Sequence, residues 1–171
     1  EFDWLYKHGA SSMFPEGWER FIAPIPEAER DDIIAAYHRR LVSDDTAARL
    51  EAARTWCSWE SELLTLKPRM PRTGPATRGE IALSRIEAHY FIHKAFLAES
   101  ELIANMGKIA DIPGVIVQGR YDVVTPPRTA LDLHKAWPKS LLHIVPDAGH
   151  ATSEPGILAA LVEATDSFRN L

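Results

Sequence analysis

Val115-Ile116-Val117-Gln118-Gly119-Arg120-Tyr121-Asp122 is a compact, largely β-branched run that ends in glycine and then in a carboxylate. Leu141-Leu142-His143-Ile144-Val145 is a second apolar run, followed by Asp147-Ala148-Gly149-His150. Between the two, after a proline-containing loop, residues Thr129 to Trp137 read as a helix closed by Pro138. Beyond them, Pro155 starts a terminal helix that runs to about Arg169. Strand, loop, helix, strand, loop, helix is the βαβ order, and such apolar strands fit a parallel sheet covered on both faces. In open sheets of this kind the working loops lie at the carboxyl ends of the strands. Asp122 and His150 each stand at such an end, where a carboxylate can fix the tautomer of an imidazole and stabilise the imidazolium formed in proton transfer.

Working outward, the residues before these strands are of a different character. From about Asp3 to Leu97 the signals are helical, broken by loops. Pro15-Glu16-Gly17-Trp18 opens a short helix, and Pro26 through Val42 reads as another, with Ile33, Ile34, Tyr37 and Leu41 at helical spacing. Ser43-Asp44-Asp45 is a capping cluster ahead of the longest candidate, Thr46 to about Leu66. Lys67 to Gly79, with three prolines and Gly74, is a loop, and a further helix runs from Glu80 to about Ala98. A short helix from Glu101 to Ile109 leads into Pro113-Gly114 and the first strand. The expected organisation is therefore a helical domain over residues 1–99 and an α/β part over 100–171. Two strands alone make a poor sheet, so the remaining strands are expected upstream of Glu1.

Composition narrows the function classes. Of 171 residues, 46% are apolar and 25% charged, which is ordinary globular usage. A net charge of −5 offers no basic stripe for nucleic acid and no cationic helix for an anionic membrane. Cys57 is the only cysteine, which excludes an internal disulfide and a thiolate metal cluster and weakly favours a reducing, cytoplasmic setting. No apolar run reaches the length of a membrane span.

The acid-before-histidine order is that of α/β-hydrolases, in which a serine nucleophile comes first. Gly119-Arg120-Tyr121-Asp122, Ala148-Gly149-His150 with Glu154-Pro155-Gly156, and Arg85-Ile86-Glu87-Ala88-His89-Tyr90-Phe91 together resemble the proline iminopeptidases. The resemblance extends to Trp4 with Gly9-Ala10-Ser11, to Phe14-Pro15 with Trp18-Glu19-Arg20, and to Trp56 with Trp59-Glu60. It implies an α/β-hydrolase fragment, a helical cap followed by the last strands and helices of the parallel core sheet. It also implies Asp122 as the triad acid and His150 as the general base of a serine exopeptidase that releases N-terminal proline through an acyl-enzyme. The serine would sit in a Gly-x-Ser-x-Gly elbow, and no such motif occurs in this sequence. The chain alone is therefore expected to be inactive.

Glu60 and Glu87 have a physical reading of their own. One helical turn from Glu87 lie Leu83, Tyr90 and Phe91, and one turn from Glu60 lie Trp56, Leu63 and Leu64. Carboxylates bordering apolar stripes need a cation or several donors, and the free amino terminus of a peptide supplies a cation. The resemblance implies this use for both glutamates and makes Phe91 part of the wall around the proline ring. Leu5 stands where the resemblance leads one to expect an aromatic residue beside that pocket.

Against these readings stand simpler ones. Asp122 could cap a turn, His150 could be a surface loop residue, and helical glutamates are usually solvated. His89 and His93 share a helix face at a spacing known from zinc sites, without a glutamate directly after the first or an obvious third ligand, so packing is the expectation. Trp56, Trp59, Tyr90, Phe91 and Phe96 are expected in the core of the helical domain. No metal or organic cofactor is implied, and the expected partner is a peptide with a free N-terminus. A sheet edge left open would favour self-association. The rival functions are a capped esterase or amidase acting on neutral substrates, and a non-catalytic interaction module.

Overall fold

Pro15 takes the first position of helix α1 (Pro15–Ile22), where its missing N–H costs nothing. The computed structural model describes residues 1–67, 70 and 73–169. Their contacts form two units, Glu1–Glu62 with Arg69–Leu97, and Leu63–Pro68 with Ala98–Leu171. The first unit is helical. Ahead of α1 the chain makes a wide helical turn, Trp4–His8, and a single α-turn, Ala10–Met13.

The helix expected over residues 26–42 is in fact two pieces. A 3-10 segment, Glu27–Asp32, is followed by α2 (Ile33–Leu41), because the Asp32 carboxylate accepts the Ala35 N–H at 3.0 Å and starts a new helix there. Helix α3 (Thr46–Leu63) begins where the capping cluster puts it, with Asp45 Oδ1 accepting the N–H groups of Ala47 and Ala48. It ends three residues short of the expected Leu66. Helix α4 (Arg78–Ile92) starts with a reciprocal cap, in which Thr77 Oγ1 accepts from Glu80 N–H and Glu80 Oε2 accepts from Thr77 N–H. It does not reach Ala98, because Lys94, Ala95 and Phe96 all take left-handed backbone, with φ of 52°, 54° and 58°. The expected loop over residues 67–79 falls partly outside the described residues.

The core of this unit is aromatic. Phe21 stacks on Tyr37 at 4.5 Å between ring centroids, and Tyr6 stacks on Trp56 at 4.9 Å. Trp56, Trp59, Tyr6, Tyr37 and Phe21 are all buried. Tyr90 and Phe96 were expected among them but are about half exposed or more, at 49% and 61%. Tyr90 lies off the face of α4 that carries the buried Ser84 and Ala88, and Phe96 is itself part of the helix break.

The second unit contains a mixed α/β arrangement. The helix expected over 101–109 is an α-turn, Glu101–Ala104, and a 3-10 turn, Met106–Ile109. The Asn105 amide donates to the Glu101 carbonyl and caps the first turn at the junction. Strand β1 (Gly114–Gly119), helix α5 (Pro127–Ala136), strand β2 (Ser140–Val145) and helix α6 (Pro155–Ser167) then follow. The strands pair in parallel, in register from Gly114 against Ser140 to Gly119 against Val145. Both helices pack on the strands. Val145, Ala148, Ile157 and Ala160 form the buried cluster, with Val117 and Leu161 against it. Among the described residues, no helix is long and apolar enough to cross a membrane.

Candidate active site

The parallel register brings the carboxyl ends of β1 and β2 side by side, and the two loops that leave them are tied together. Arg120 N–H donates to the Val145 carbonyl at 2.8 Å, and Tyr121 N–H to the Ala148 carbonyl at 3.0 Å. Gly119 is needed for this approach, because a Cβ there would meet the Gly149 carbonyl oxygen at 2.0 Å. The loop after β2 is held in turn by residues 64–66. The Leu64 carbonyl accepts the N–H groups of His150 and Ala151, and Glu154 Oε1 accepts the Leu66 N–H at 2.6 Å.

These ties place the His150 Nδ1 at 2.9 Å from Asp122 Oδ2. Asp122 is buried, and its other contacts are all donors. Oδ1 accepts the N–H groups of Val124 and Thr125 at 2.9 and 2.8 Å, and Oδ2 accepts the Gln118 amide and the Thr125 hydroxyl, both at 3.0 Å. Burial alone would push the Asp122 carboxyl up, but His150 and the Thr125 backbone and hydroxyl outweigh it and hold Asp122 below the usual carboxylate range. Asp122 is therefore ionised at neutral pH. An ionised acceptor fixed on Nδ1 favours the tautomer with its proton on that nitrogen and the basic lone pair on Nε2. Thr125 Oγ1 also lies 3.2 Å from His150 Nδ1, on the same side of the ring.

The first unit brings Glu60 and Glu87 together independently of this pair. Tyr6 Oη donates to Glu60 Oε1 at 2.6 Å, and Trp56 Nε1 donates to Glu87 Oε2 at 3.0 Å. The Glu87 carboxyl group lies within hydrogen-bonding reach of Glu60. Burial, and then the neighbouring Glu87 charge, push Glu60 up to about 8. The Tyr6 hydroxyl is pushed well above its ordinary value, first by burial and then by Glu60, so it stays a donor at any working pH. Phe91 is half-buried, with its ring centroid 5.7 Å from Tyr6 and 5.9 Å from Trp56. The five residues picked out from the sequence thus fall into two constellations, Asp122 with His150, and Glu60 with Glu87 and Phe91. His93 Nδ1 sits against the His89 carbonyl at 2.7 Å and its ring stacks on Phe96, a packing arrangement.

Tyr6, Gln118 and Thr125 escaped sequence reasoning. Thr125, three residues after Asp122, follows the spacing of an Asx-type turn, so a signal existed for it. Tyr6 and Gln118 reach their partners through tertiary contacts, over 54 residues in the case of Tyr6 and Glu60.

No family model matches the chain. Several curated proteins do. The proline iminopeptidase of Xylella fastidiosa strain Temecula1 is 50% identical over 98% of this chain and 55% of that protein. The proline iminopeptidase of Arabidopsis thaliana is 46% identical over all of this chain and 46% of its own length, and that of Neisseria gonorrhoeae is 40% identical over 96% and 53%. The chain therefore spans about half the length of the curated relatives it matches. By sequence, this chain is a relative of the proline iminopeptidases, similar to them along nearly all of its own length.

Proposed function

We propose that this chain supplies the acid–base pair and the substrate-holding helices of a serine-type exopeptidase that releases N-terminal proline from peptides. The carrying observation is the 2.9 Å contact between His150 Nδ1 and Asp122 Oδ2 at the carboxyl ends of two adjacent parallel strands. In this reading the nucleophilic serine comes from outside the present sequence, since no Gly-x-Ser-x-Gly elbow occurs within it. His150 Nε2 takes the serine proton as the hydroxyl oxygen attacks the prolyl carbonyl, and Asp122 stabilises the resulting imidazolium. The imidazolium then protonates the departing peptide amine, leaving a prolyl ester that water hydrolyses by the same route in reverse. The chain alone has no covalent route and is inactive. Glu60 and Glu87 take the substrate ammonium, which selects peptides with a free N-terminus, and Phe91 offers an apolar face to the pyrrolidine ring.

The reading also fits the names of the relatives and the clustering of two carboxylates with, among the described residues, neutral donors. The test is a chimaera in which this chain replaces the matching portion of the Xylella fastidiosa enzyme, assayed on proline p-nitroanilide. Activity is expected, with a loss of about 10⁴-fold or more in kcat for His150→Ala. Glu60→Gln combined with Glu87→Gln is expected to lose orders of magnitude in kcat/KM on the free amine. An active chimaera that cleaves N-acetyl-proline p-nitroanilide equally well would instead make the protein an esterase or amidase of neutral substrates. Full activity in His150→Ala would remove the proposal altogether.

A further inference from the structure

Glu60 and Glu87 are an unusual pair because, among the described residues, the side chains that donate to them are neutral. Among the described residues, neither carboxyl group has a lysine, arginine or histidine partner. Their donors are the Tyr6 hydroxyl at 2.6 Å and the Trp56 indole N–H at 3.0 Å, and the indole N–H also acts on Glu60. Two carboxylates held by Tyr6 and Trp56, whose rings stack on each other, repel one another, and a cation or a proton is needed to relieve that repulsion. A single proton held between them removes the repulsion.

We infer that Glu60 and Glu87 act as one proton-sharing pair, positioned by Tyr6 and Trp56, that exchanges its proton for the ammonium group of a ligand. This rests on the reading of the pair as an ammonium site and adds its chemistry. In the empty pair one carboxyl is protonated and hydrogen-bonds the other, giving a local charge of −1. When a primary or secondary ammonium enters, it donates to both groups and the shared proton leaves to solvent. The occupied site has two carboxylates and one ammonium, so its net charge is again −1. The exchange keeps the charge of a poorly solvated site constant, whereas binding without proton release would change it by one unit.

The same accounting gives selectivity. A neutral amide or ester in the ammonium's position leaves the proton where it is and gains only ordinary hydrogen bonds. Tyr6 and Trp56 are positioning residues here. Each donates to one carboxyl oxygen and so holds that carboxyl group in place. Tyr6 can only donate to Glu60 and never becomes a competing base, because its own hydroxyl is held protonated by burial and by Glu60. Its hydrogen bond favours the ionised form of Glu60 and opposes the effects of burial and of Glu87. Removing it should make the proton harder to release.

The groups facing the pair are few. Tyr6 comes from the N-terminal helical turn, Trp56 from α3, and each glutamate is itself on one of the two helices concerned, α3 and α4. Cys57 Sγ, on α3, acts on Tyr6 and lies 3.6 Å from the Glu80 carbonyl.

Carbon-13 NMR of the full chain, labelled at the glutamate side-chain carboxyls and assigned by Glu60→Gln and Glu87→Gln, reads the proton directly. At pH 7 without ligand, one carboxyl of the pair should be protonated and should titrate near pH 8. Saturating prolinamide should ionise it at the same pH. Calorimetry at pH 7 in buffers of differing ionisation enthalpy should then show close to one proton released per prolinamide, falling as pH rises through 8 and turning to proton uptake where the free ligand is itself a neutral amine. Glu87→Gln should return Glu60 toward ordinary carboxylate behaviour, and Tyr6→Phe should move the titration to higher pH with about tenfold weaker prolinamide binding at pH 7. Both carboxyls ionised at pH 7 without ligand would overturn the inference, as would prolinamide binding with no proton released. Either result leaves the ammonium site itself standing. A shared proton with no binding of prolinamide would overturn both the exchange and the ammonium reading.

Discussion

The two units of this chain use their residues in opposite ways. The first packs six aromatic side chains, Tyr6, Trp18, Phe21, Tyr37, Trp56 and Trp59, into contacting rings around helices α1 to α3, all but Trp18 fully buried. The second buries a thin cluster of Val145, Ala148, Ile157 and Ala160, while Leu141, Leu158 and Val162 stay more than half exposed. Its strands pair only with each other among the described residues, which leaves an outer edge on each. Apolar area removed from water sets most of a domain's stability, so the first unit should hold itself together far better than the second. The second is instead fixed by polar ties, the main-chain bonds among residues 64–66, 119–122 and 145–151 and the donors around Asp122. The lesson is that the sharpest geometry in the chain rests on its smaller core.

The largest effect should come from breaking the aromatic core. Phe21 touches Tyr6, Trp18, Tyr37, Trp56 and Trp59, and Phe21→Ala should cost about 3–5 kcal/mol. Trp4, Trp18, Trp56 and Trp59 lie in the first unit and Trp137 in the second, so urea unfolding followed by indole NMR can read the units separately. The loss should appear in the first four signals. An equal fall at Trp137 would break the comparison. Next comes Gly119→Ala, which sets a methyl group against the Gly149 carbonyl and forces the two loops apart. A cost of about 1–3 kcal/mol is expected, read at Trp137, together with loss of the His150–Asp122 hydrogen bond in the imidazole NMR spectrum. A smaller effect, about 1 kcal/mol, is expected for Asp45→Ala, which strips two N–H groups at the start of α3 of their acceptor. Thermal unfolding of the first unit would check it.

How much of this was legible in the sequence depends on how local the cause is. Pro15 and Pro155 at first helical positions, the Asp45 cap, and the two apolar runs act through neighbours a few residues away, and the elements they signal are present. The reciprocal cap of Thr77 and Glu80 was equally local and could have moved the start of α4 back to Arg78. The break after Ile92 had no such signal, since left-handed backbone at Lys94, Ala95 and Phe96 is not a habit of those residue types. Asp122 and His150 could be paired from strand order because parallel register makes neighbouring strand ends meet. Residues 64–66 are tied to the second unit through main-chain bonds from His150 and Ala151 to Leu64, and no side-chain pattern signals such a tie. Carbonyl groups carry no residue signature, so a sequence cannot announce them.

The smallest effect is also the one that most sharpens the contrast, because it concerns a group stabilised by polar contacts alone. Burial opposes ionisation of Asp122, and its donors favour it, so only the difference between two larger quantities remains. The donors prevail, and the folded carboxyl is held below its ordinary value. A group depressed in this way adds stability above the unfolded carboxylate value, about 3.9, and loses it as pH falls through the lower folded value. The second unit should therefore weaken on acidification below about pH 4 in a way that Asp122→Asn abolishes. The comparison is the slope of the Trp137 unfolding midpoint between pH 5 and pH 3 in the two proteins. Identical slopes would mean that the hydrogen bonds to Asp122 only cancel its burial, and that the loops are held by their main-chain ties without help from the charge.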